Sequence, residues 1–448
     1  MEFSKKLFDA AKSAGYKNWE IYSGGGRSFS VRIFKGEVDE YKNSESSGFC
    51  FRGAKDERLG YAFSESFDPA VIPDVLKNAA ENASLIEEED MEELYAGDSS
   101  YESAECYNEA LENYSPSKKI ELALALEKAA FAADSRVVAV DYCYLGTGSG
   151  SEELLNSFGL ELKKRENIAY SYLVARAEEN GVNKTGFAVW IGDDLANFCY
   201  ETLAKQAVAR AVGYFGAKAI PSGVYPVVFE NLRALELLQA FSSAFSAERA
   251  QKGFSLLNGK EEQQIAAPCV NLIDEGISAR KTFLAAPFDS EGVRTQSKKI
   301  IDKGILTTLL YNCKSAKKAG KKSTGNGFKP SFRSPVDTSP TNFYIEPGTE
   351  DLSALFEKIH NGVYITELQG LHSGLNPISG DFSVGADGFL IENGKIARPI
   401  EQITVSGNFF AMLKNITALS NRLVFDPPSS GTYGAPDILA GELTISGL

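Results

Sequence analysis

The chain has 448 residues, of which 43% are hydrophobic and 24% are charged, as in soluble globular proteins of several domains. Its net charge of -14 argues against general nucleic-acid binding, which needs a basic face to neutralise phosphates. The six cysteines are scattered without a C-x-x-C pair, which excludes the usual zinc-ribbon and thioredoxin-like spacings. Free thiols, the lack of a signal-like N-terminus and the lack of a run of roughly 20 apolar residues predict a cytoplasmic protein that does not cross a membrane.

Residues 1–86 predict a first α+β module. Apolar spacing predicts a helix over 3–14. Asp68 and Pro69 are suited to be the N-cap and first residue of a second helix that ends near Ile86. Between the helices, strand-like segments are separated by glycine-rich or charged turns, at 19–23, 28–34, 37–41, 48–52 and 59–63.

Residues 87–114 differ from what precedes them, because acids dominate the stretch from Glu87 to Glu93. We predict a solvated acidic linker. A carboxylate metal site is the poorer alternative, since consecutive acids do not converge on one ion and the spacing of an EF-hand is absent.

Residues 115–220 predict a second α+β module that ends in a long helix. Ser115 and Pro116 open a helix that runs to about Ala133, and an alanine-rich helix runs from about Leu195 to Val212. Strands are predicted at 137–144, 159–164, 168–177 and 187–191. The run GTGSGS at Gly146–Ser151 lacks the lysine and serine of a phosphate-binding loop, so we predict a hairpin loop there.

Residues 221–448 predict a large β-rich domain of barrel or sandwich type, because short strands and turn signals recur along it. A buried-type strand at Val224–Phe229 is followed by one strong helix, from Asn231 to about Arg249, and a short helix is predicted at Leu352–Ile359. The lysines of Lys314–Lys322 are interpreted as a solvated, mobile loop. The predicted fold class is therefore α+β, with two N-terminal α+β modules before a β-rich domain.

Residues able to do chemistry are few. The two histidines, His360 and His372, do not lie on one helix face, so the usual two-histidine zinc helix is absent. No nucleophile elbow carries a base with it. The run from Asp289 to Gly292 offers an acid pair for proton transfer, but we predict a hairpin turn with solvated carboxylates.

The glycine-rich stretch Gly370–Ile396 concentrates the remaining polar groups and ends in a strand, an Asn393-Gly394 turn and a return strand. His372 either caps a turn or contacts a ligand. Asp381 and Ser383 share one strand face by their spacing, and either bind a backbone amide or cap the turn. The candidate peptide- or partner-contacting residues are His372, Asn376, Asp381 and Ser383.

Several motifs together resemble the TldD/TldE (PmbA) family, often called modulators of DNA gyrase. The first is G-L-H-S-G-L-N-P-I-S-G-D-F-S at Gly370–Ser383, followed by G-F-L-I-E-N-G-K-I at Gly388–Ile396. The resemblance runs through nearly the whole chain, with further matching segments at Gly223–Val228, Phe288–Val293, Ser323–Gly327 and Val405–Phe410.

The resemblance implies a subunit of a cytoplasmic two-subunit metalloprotease. TldD-like subunits carry an H-E-x-x-x-H zinc helix and a later cysteine ligand, whereas TldE-like subunits share the fold without the metal site. Here Gln239 stands where the first histidine would be, Ala240 where the glutamate would be and Ala244 where the second histidine would be. The tail Phe425–Ile438 has no cysteine. These side chains cannot hold zinc or activate a water.

The sequence therefore matches the TldE-like half of the family. This implies a subunit that is catalytically silent alone and has no cofactor of its own, with zinc in a TldD-like partner and small or unfolded peptides as substrates. A homodimer of the isolated chain is a further possibility. The alternative is a non-proteolytic regulator that binds another protein, such as gyrase. A third hypothesis is an independent hydrolase with a site that uses no histidine.

Overall fold

The computed structural model describes residues 2–87, 92–104, 106–280, 282–429 and 431–448. Its N-terminal half contains five helices and six strands within those residues. The first part comprises α1 (Glu2–Ser13), β1 (Asn18–Phe34), β2 (Glu37–Lys55), β3 (Arg58–Ser64) and α2 (Ile72–Ser84). The second part comprises α3 (Glu109–Glu112), α4 (Pro116–Ala133), β4 (Val137–Asn156), β5 (Glu161–Glu179), β6 (Val182–Gly192) and α5 (Tyr200–Gly213).

The strands of both N-terminal modules form one antiparallel sheet in the order β3-β2-β1-β4-β5-β6. The predicted breaks within β1 and β2 are wrong, because each is one strand, of 17 and 19 residues. The predicted hairpin loop at Gly146–Ser151 is also wrong, since it lies in the middle of β4. The glycine-rich parts of β1 and β4 stay extended because each strand pairs with a neighbour on either side. Gly26 of β1, for example, pairs with Ser46 of β2 and with Gly150 of β4.

The two faces of this sheet have different partners. Helices α4 and α5 pack on one face, where Leu126 and Ala207 are buried against Val31 and Leu173. Helices α1 and α2 bury the same face farther along the sheet, over Ile21, Phe49 and Phe51. The opposite face is therefore free to meet the C-terminal domain.

The C-terminal half is strand-rich, and the predicted α+β class with a β-rich final domain is confirmed. Its helices are α6 (Asn231–Phe241), α7 (Ala247–Gln251), α8 (Cys313–Ala319), α9 (Leu352–Ile359) and α10 (Phe409–Asn415). Its strands are β7 (Gly223–Phe229), β8 (Leu272–Glu275), β9 (Lys298–Asp302), β10 (Ile305–Leu306), β11 (Gly327–Phe328), β12 (Asp337–Thr338), β13 (Asn342–Ile345), β14 (Gly362–Gln369), β15 (Asp381–Glu392), β16 (Lys395–Asn408), β17 (Ala418–Leu419), β18 (Val424–Phe425), β19 (Thr432–Ala435) and β20 (Ile438–Ser446).

Two larger sheets organise this domain. One runs β16-β15-β14-β7-β20-β17, and a further pairing of β16 with β20 closes its first five strands into a barrel. The other runs β10-β9-β8-β13-β19-β18. Helix α6 lies in the main core of the domain, where Leu238 and Phe241 are buried with Phe382 and Phe409.

The single helix predicted over Asn231–Arg249 is divided in three. Helix α6 ends at Phe241, a 3-10 turn covers Ser242–Phe245, and α7 follows. Serine side chains explain the break, since they offer the backbone alternative hydrogen bonds. The hydroxyl of Ser242 donates to the carbonyl of Gln239 at 2.8 Å, and Ser246 caps α7.

The C-terminal domain docks on the open face of the N-terminal sheet through residues 329–334, which we call the strap loop. Phe332 of this loop is buried beside Tyr22 and Cys50. The Tyr61 hydroxyl donates to the Phe332 carbonyl at 2.9 Å. A Cβ atom at Gly48 would lie 2.4 Å from the Phe332 ring, so the glycine leaves the space that the ring occupies.

The described part of the acidic segment is less solvated than expected. Glu92 lies 3.9 Å from the buried Arg52. The Asp98 carboxylate accepts a hydrogen bond from the Arg294 amide at 2.8 Å, and the Tyr101 hydroxyl donates to the Gly292 carbonyl at 2.6 Å. Residues 88–91, which carry part of the predicted linker, lie outside the described residues.

Most of the lysine cluster lies on helix α8, contrary to the prediction of a loop. Asn312 and Ser315 form a capping box at the start of α8. Lys317 pairs with Glu93 at 2.7 Å, and Lys321 pairs with Glu261. The helix cap and these ion pairs fix the position of the segment, and neither can be recognised from its charge alone.

Two further findings concern the whole described chain. All six cysteines are free thiols. Among the described residues, no helix combines the length and the apolar character needed to cross a bilayer.

Candidate functional site

The stretch Gly370–Ile396 forms a folded-over loop at the start of β15 and the hairpin to β16. The Asn376 amide donates to the Asp381 carbonyl at 2.8 Å, and the Ser383 amide donates to the Gly374 carbonyl at 2.7 Å. Asn393 and Gly394 both have positive φ, at 52° and 73°, as the tight hairpin turn requires. The predicted strand, turn and return strand are confirmed.

Asn376 and Asp381 are brought together as turn-capping groups. The Asn376 side chain accepts from the amides of Ile378 and Ser379, at 3.0 and 3.3 Å. The Asp381 carboxylate accepts from the Ser379 hydroxyl and from the Asn408 amide group, both at 2.8 Å. The hydrogen bond from Asn408, and after it that from Ser379, hold the pKa of Asp381 below its usual range.

His372 and Ser383 stay apart from that pair. The Ser383 hydroxyl shares a hydrogen bond of 2.8 Å with the Ser406 hydroxyl on β16. The exposed His372 imidazole makes no hydrogen bond with any residue that the structure describes. In this loop no base stands over a hydroxyl, so the described residues lack the arrangement that nucleophilic catalysis requires.

The segment Gln239–Ala244, at the end of α6 and in the turn after it, contains no histidine, cysteine or acidic side chain. Gln239 is near the end of α6, Ala240 follows it, and Ala244 is fully buried in the 3-10 turn. The Gln239 amide group donates to the Ser429 hydroxyl at 3.4 Å, so the tail after β18 lies beside this segment. Among the described residues, no three histidine, cysteine or acidic side chains are grouped to hold a metal ion.

Beyond Ser429 lies a cavity of about 430 Å³ between the N-terminal sheet and the C-terminal domain. From the sheet come Glu152, Lys164 and Glu166, with Glu152 directly opposite Lys164 across β4 and β5. From the C-terminal domain come apolar walls and the strap loop, chiefly Leu284, Phe328, Lys329 and Pro340. The sequence does not reveal this cavity, since Lys164 and Glu166 lie within the wholly polar run 163–167 of β5.

The acid pair at Asp289 and Glu291 is buried, so the predicted solvation of these carboxylates is wrong, although the predicted turn is present, with an antiparallel bridge between Phe288 and Arg294. Asp289 is 1% exposed and accepts hydrogen bonds from the amides of Glu291, Val293 and Gly327, at 2.9 to 3.0 Å. Glu291 accepts from the Cys313 amide at 2.7 Å. Burial and the neighbouring Glu291 raise the pKa of Asp289, although the three amides favour its ionised form.

A second buried charge pair lies next to these acids. Glu20 of β1 is 1% exposed, and its carboxylate is 3.8 Å from the Arg52 guanidinium on β2. Burial raises the pKa of Glu20 to about 7, against the opposing effect of Arg52. Both residues face the C-terminal domain, so charge is concentrated where the two halves of the chain meet.

Ion pairs also join the long helix α5 to the C-terminal domain. Arg210 lies 2.7 Å from Glu230 and 3.3 Å from Glu367. Arg233 of α6 reaches the same Glu367 at 3.3 Å. The network borders a cleft of about 610 Å³ between β6 and β18.

Comparison with known proteins assigns the chain as a whole. PmbA/TldA metallopeptidase domain 1 matches residues 19–86, the central domain matches 109–213, and the C-terminal domain matches 222–447. These three matches define a protein of the metallopeptidase-like class built from three domains. Within that class, the chain belongs to the PmbA/TldD family.

Individual relatives support the same family assignment. A metalloprotease PmbA homologue of Haemophilus influenzae is 30% identical over 74% of this chain and 70% of its own length. A crystal structure from Thermotoga maritima, described as a putative modulator of a DNA gyrase, is 31% identical, covers 99% of both chains and has a TM-score of 0.90. TldE from Thermococcus kodakarensis, at 24% identity and a TM-score of 0.90 over 99% of this chain and 100% of that one, shares the fold.

Proposed function

We propose that this chain is the non-catalytic, TldE/PmbA-like subunit of a heteromeric cytoplasmic metalloprotease. Its membership of a metallopeptidase family supports the general activity. The non-catalytic role is supported by the side chains of Gln239, Ala240 and Ala244, since an amide and two methyl groups can neither ligate zinc nor activate water. Zinc is then held by a TldD-like catalytic partner.

In this proposal the chain contributes a contact surface to the complex and no catalytic groups. His372, Asn376, Asp381 and Ser383 are all exposed, and the hydrogen bonds around Asn376 and Asp381 fix the shape of the loop that carries them. A pre-shaped loop loses little entropy on contact with a partner subunit or a peptide. Small or unfolded peptides are the substrates of the complex.

Reconstitution tests the proposal. The chain is co-expressed with a TldD-like subunit that carries H-E-x-x-x-H, and the complex is isolated by size exclusion. We expect a stable heteromer whose zinc-dependent peptidase rate on unfolded peptides exceeds that of the partner alone. Replacing the first histidine of the partner's motif should abolish activity, whereas Gln239→Ala in this chain should not change it. A partner that is equally active without this chain would refute the accessory role.

The name of the Thermotoga maritima relative supports one other candidate, a regulator that binds gyrase without proteolysis. Affinity purification separates the two. Recovery of a TldD-like chain supports the protease subunit, whereas recovery of gyrase with no TldD-like chain supports the regulator.

A further inference from the structure

One loop of the C-terminal domain carries large apolar side chains into solvent. Residues 252–260, which we call the tip loop, follow helix α7 and have the sequence K-G-F-S-L-L-N-G-K. Phe254 and Leu256 are 51% and 54% exposed, whereas Leu257 is buried in the main core of the domain. Large apolar side chains that are exposed together are typical of contact surfaces.

The tip loop is anchored to the domain at its centre. The Ser255 hydroxyl donates to the Ala244 carbonyl at 2.5 Å and accepts from the Leu257 amide at 3.1 Å. Gly253 and Gly259 have positive φ, at 78° and 68°, and a Cβ atom at either would meet no other described atom within 4 Å. The loop is therefore held in one shape while open space surrounds both of its ends.

Exposed basic side chains surround the apolar tip. Lys252 and Lys260 are the two ends of the loop, and no acidic residue occurs from 249 to 260. The Phe254 amide donates to the Arg249 carbonyl at 2.8 Å, which places Arg249 beside the tip. Lys303 lies near the end of the loop, since its carbonyl accepts from the side chain of Gln264 at 3.4 Å.

The acidic residues nearby do not cancel this charge. Glu248 lies 2.6 Å from Lys252, and Glu261 pairs with Lys321. Glu262 is the remaining acid of the stretch, and it has no ion-pair partner within the described residues. The three other basic residues around the tip have none there either, so they outnumber this one acid. Positive charge is thus in excess here, although the whole chain has a net charge of -14.

A protruding apolar tip within a group of basic side chains matches the surface of an anionic bilayer. The basic groups can reach the phosphates of the headgroups while the tip enters the boundary with the acyl chains. Nucleic acid would satisfy the charges but leave Phe254 and Leu256 in water. A second copy of this surface would bring like charges together, which opposes association.

We propose that the tip loop docks this protein on membranes that contain anionic lipids, with Phe254 and Leu256 inserted at the boundary between headgroups and acyl chains. Contact of this kind needs no membrane-spanning segment. The inference goes beyond the proposed function and does not depend on it, because every residue that it uses belongs to this chain.

Sedimentation with vesicles tests the docking on the isolated, full-length chain. One kind of vesicle is pure phosphatidylcholine, and the other is an equal mixture of phosphatidylcholine and phosphatidylglycerol. We expect the chain to bind the mixed vesicles at least about tenfold more tightly, because several basic groups act together, and to bind them less tightly as salt is added. Equal binding to both kinds of vesicle, or no binding to the mixed ones, would overturn the proposal.

Variants then assign the binding to the tip loop. The double variant Phe254→Ser, Leu256→Ser should weaken binding to the mixed vesicles by at least about tenfold, because it removes the inserted apolar area. Lys260→Glu should weaken binding by at least about tenfold through charge alone. The matched control is Leu85→Ser, which removes an apolar side chain that is 78% exposed just after α2 and should leave binding within about twofold of the parent. Binding that survives the double variant would exclude the tip loop.

Fluorescence of a Phe254→Trp variant shows whether the tip enters the bilayer. We expect its emission, after subtraction of that of the parent, to move to shorter wavelength with the mixed vesicles, since the indole leaves water. Duplex DNA should cause no such shift. Sedimentation without a shift would refute insertion, and tighter binding to duplex DNA than to the mixed vesicles would identify the surface as one for nucleic acid. Because the chain is tested alone, failure of the heteromer would not alter these results.

Discussion

The docking of the strap loop gives a sharp test of how the two halves of the chain are held together. A Cβ atom at Gly48 would lie 2.4 Å from two atoms of the Phe332 ring, far inside van der Waals contact. The ring is 7% exposed, so it cannot move aside without losing its packing. We expect Gly48→Ala to lower the free energy of unfolding by about 1–3 kcal/mol. Gly24 is the matched control, since its Cβ would be 3.9 Å from the same ring and Gly24→Ala should cost less than about 0.5 kcal/mol.

A double-mutant cycle isolates the contribution of the ring. Phe332→Ala should itself cost about 3 kcal/mol, at the lower end for a buried phenylalanine because a surface loop can partly collapse. In that background the cost of Gly48→Ala should fall by about 1 kcal/mol, since the ring contact is gone. It should not fall to zero, because the added Cβ would still be 2.7 Å from the Ser64 carbonyl oxygen.

Urea unfolding followed by tryptophan fluorescence provides the measurement. Both tryptophans, Trp19 on β1 and Trp190 on β6, lie in the N-terminal sheet and report its unfolding. An equal cost of Gly48→Ala with and without the Phe332 ring would refute the proposed clash. So would a Gly24→Ala variant as unstable as Gly48→Ala.

Three further predictions follow from the buried charges. Because burial raises the pKa of Glu20 to about 7, the folded state binds the Glu20 proton more tightly than the unfolded state does. The free energy of unfolding should therefore fall as the pH rises from about 4.5 to about 7. Glu20→Gln should remove up to about 3 kcal/mol of that fall. Arg210→Met should cost about 2 kcal/mol, since it removes the ion-pair partner of Glu230 and one of the two partners of Glu367. Asp289→Ala should cost about 3 kcal/mol or more, because three buried amides lose their acceptor.

Denaturation midpoints check all three, at two pH values for Glu20. Lys77→Met is the control for Arg210, since Lys77 belongs to an exposed pair with Glu81 and its loss should cost less than about 0.5 kcal/mol. An unchanged pH dependence in Glu20→Gln would contradict the raised pKa. Stability within about 0.5 kcal/mol of the parent would contradict the roles given to Arg210 and Asp289.

Local signals in the sequence predicted local structure well. Ser115 is the N-cap of α4 as expected, accepting a hydrogen bond from the Lys118 amide at 3.2 Å. Asp68 accepts from the Ala70 amide at 2.9 Å, but it caps a 3-10 turn at Pro69–Val71 that leads into α2 rather than α2 itself. The Asn393-Gly394 hairpin and the helix Leu352–Ile359 were predicted for the same reason. Caps and tight turns depend on side chains within a few residues of each other, so a single sequence contains what is needed.

Features that depend on distant segments could not be predicted this way. Glycines normally weaken a strand, yet β1 continues through Gly24–Gly26 because β2 and β4 pair with it on both sides. Asp289 was interpreted as a solvated turn residue, but one of its donors is the Gly327 amide, 38 residues away. The cavity at Glu166 likewise joins β5 to a tail more than two hundred residues later. In each case the partner that decides burial is not a sequence neighbour.

We propose that this chain supplies no catalytic metal of its own. Zinc content and peptidase rate, measured together on the isolated chain and on the complex with a TldD-like subunit, test it most directly. We expect no stoichiometric zinc and no peptidase activity in the isolated chain. In the complex we expect about one zinc per heterodimer, with activity that depends on the partner's H-E-x-x-x-H motif. One tightly bound zinc per isolated chain, together with peptide cleavage by that chain, would contradict it.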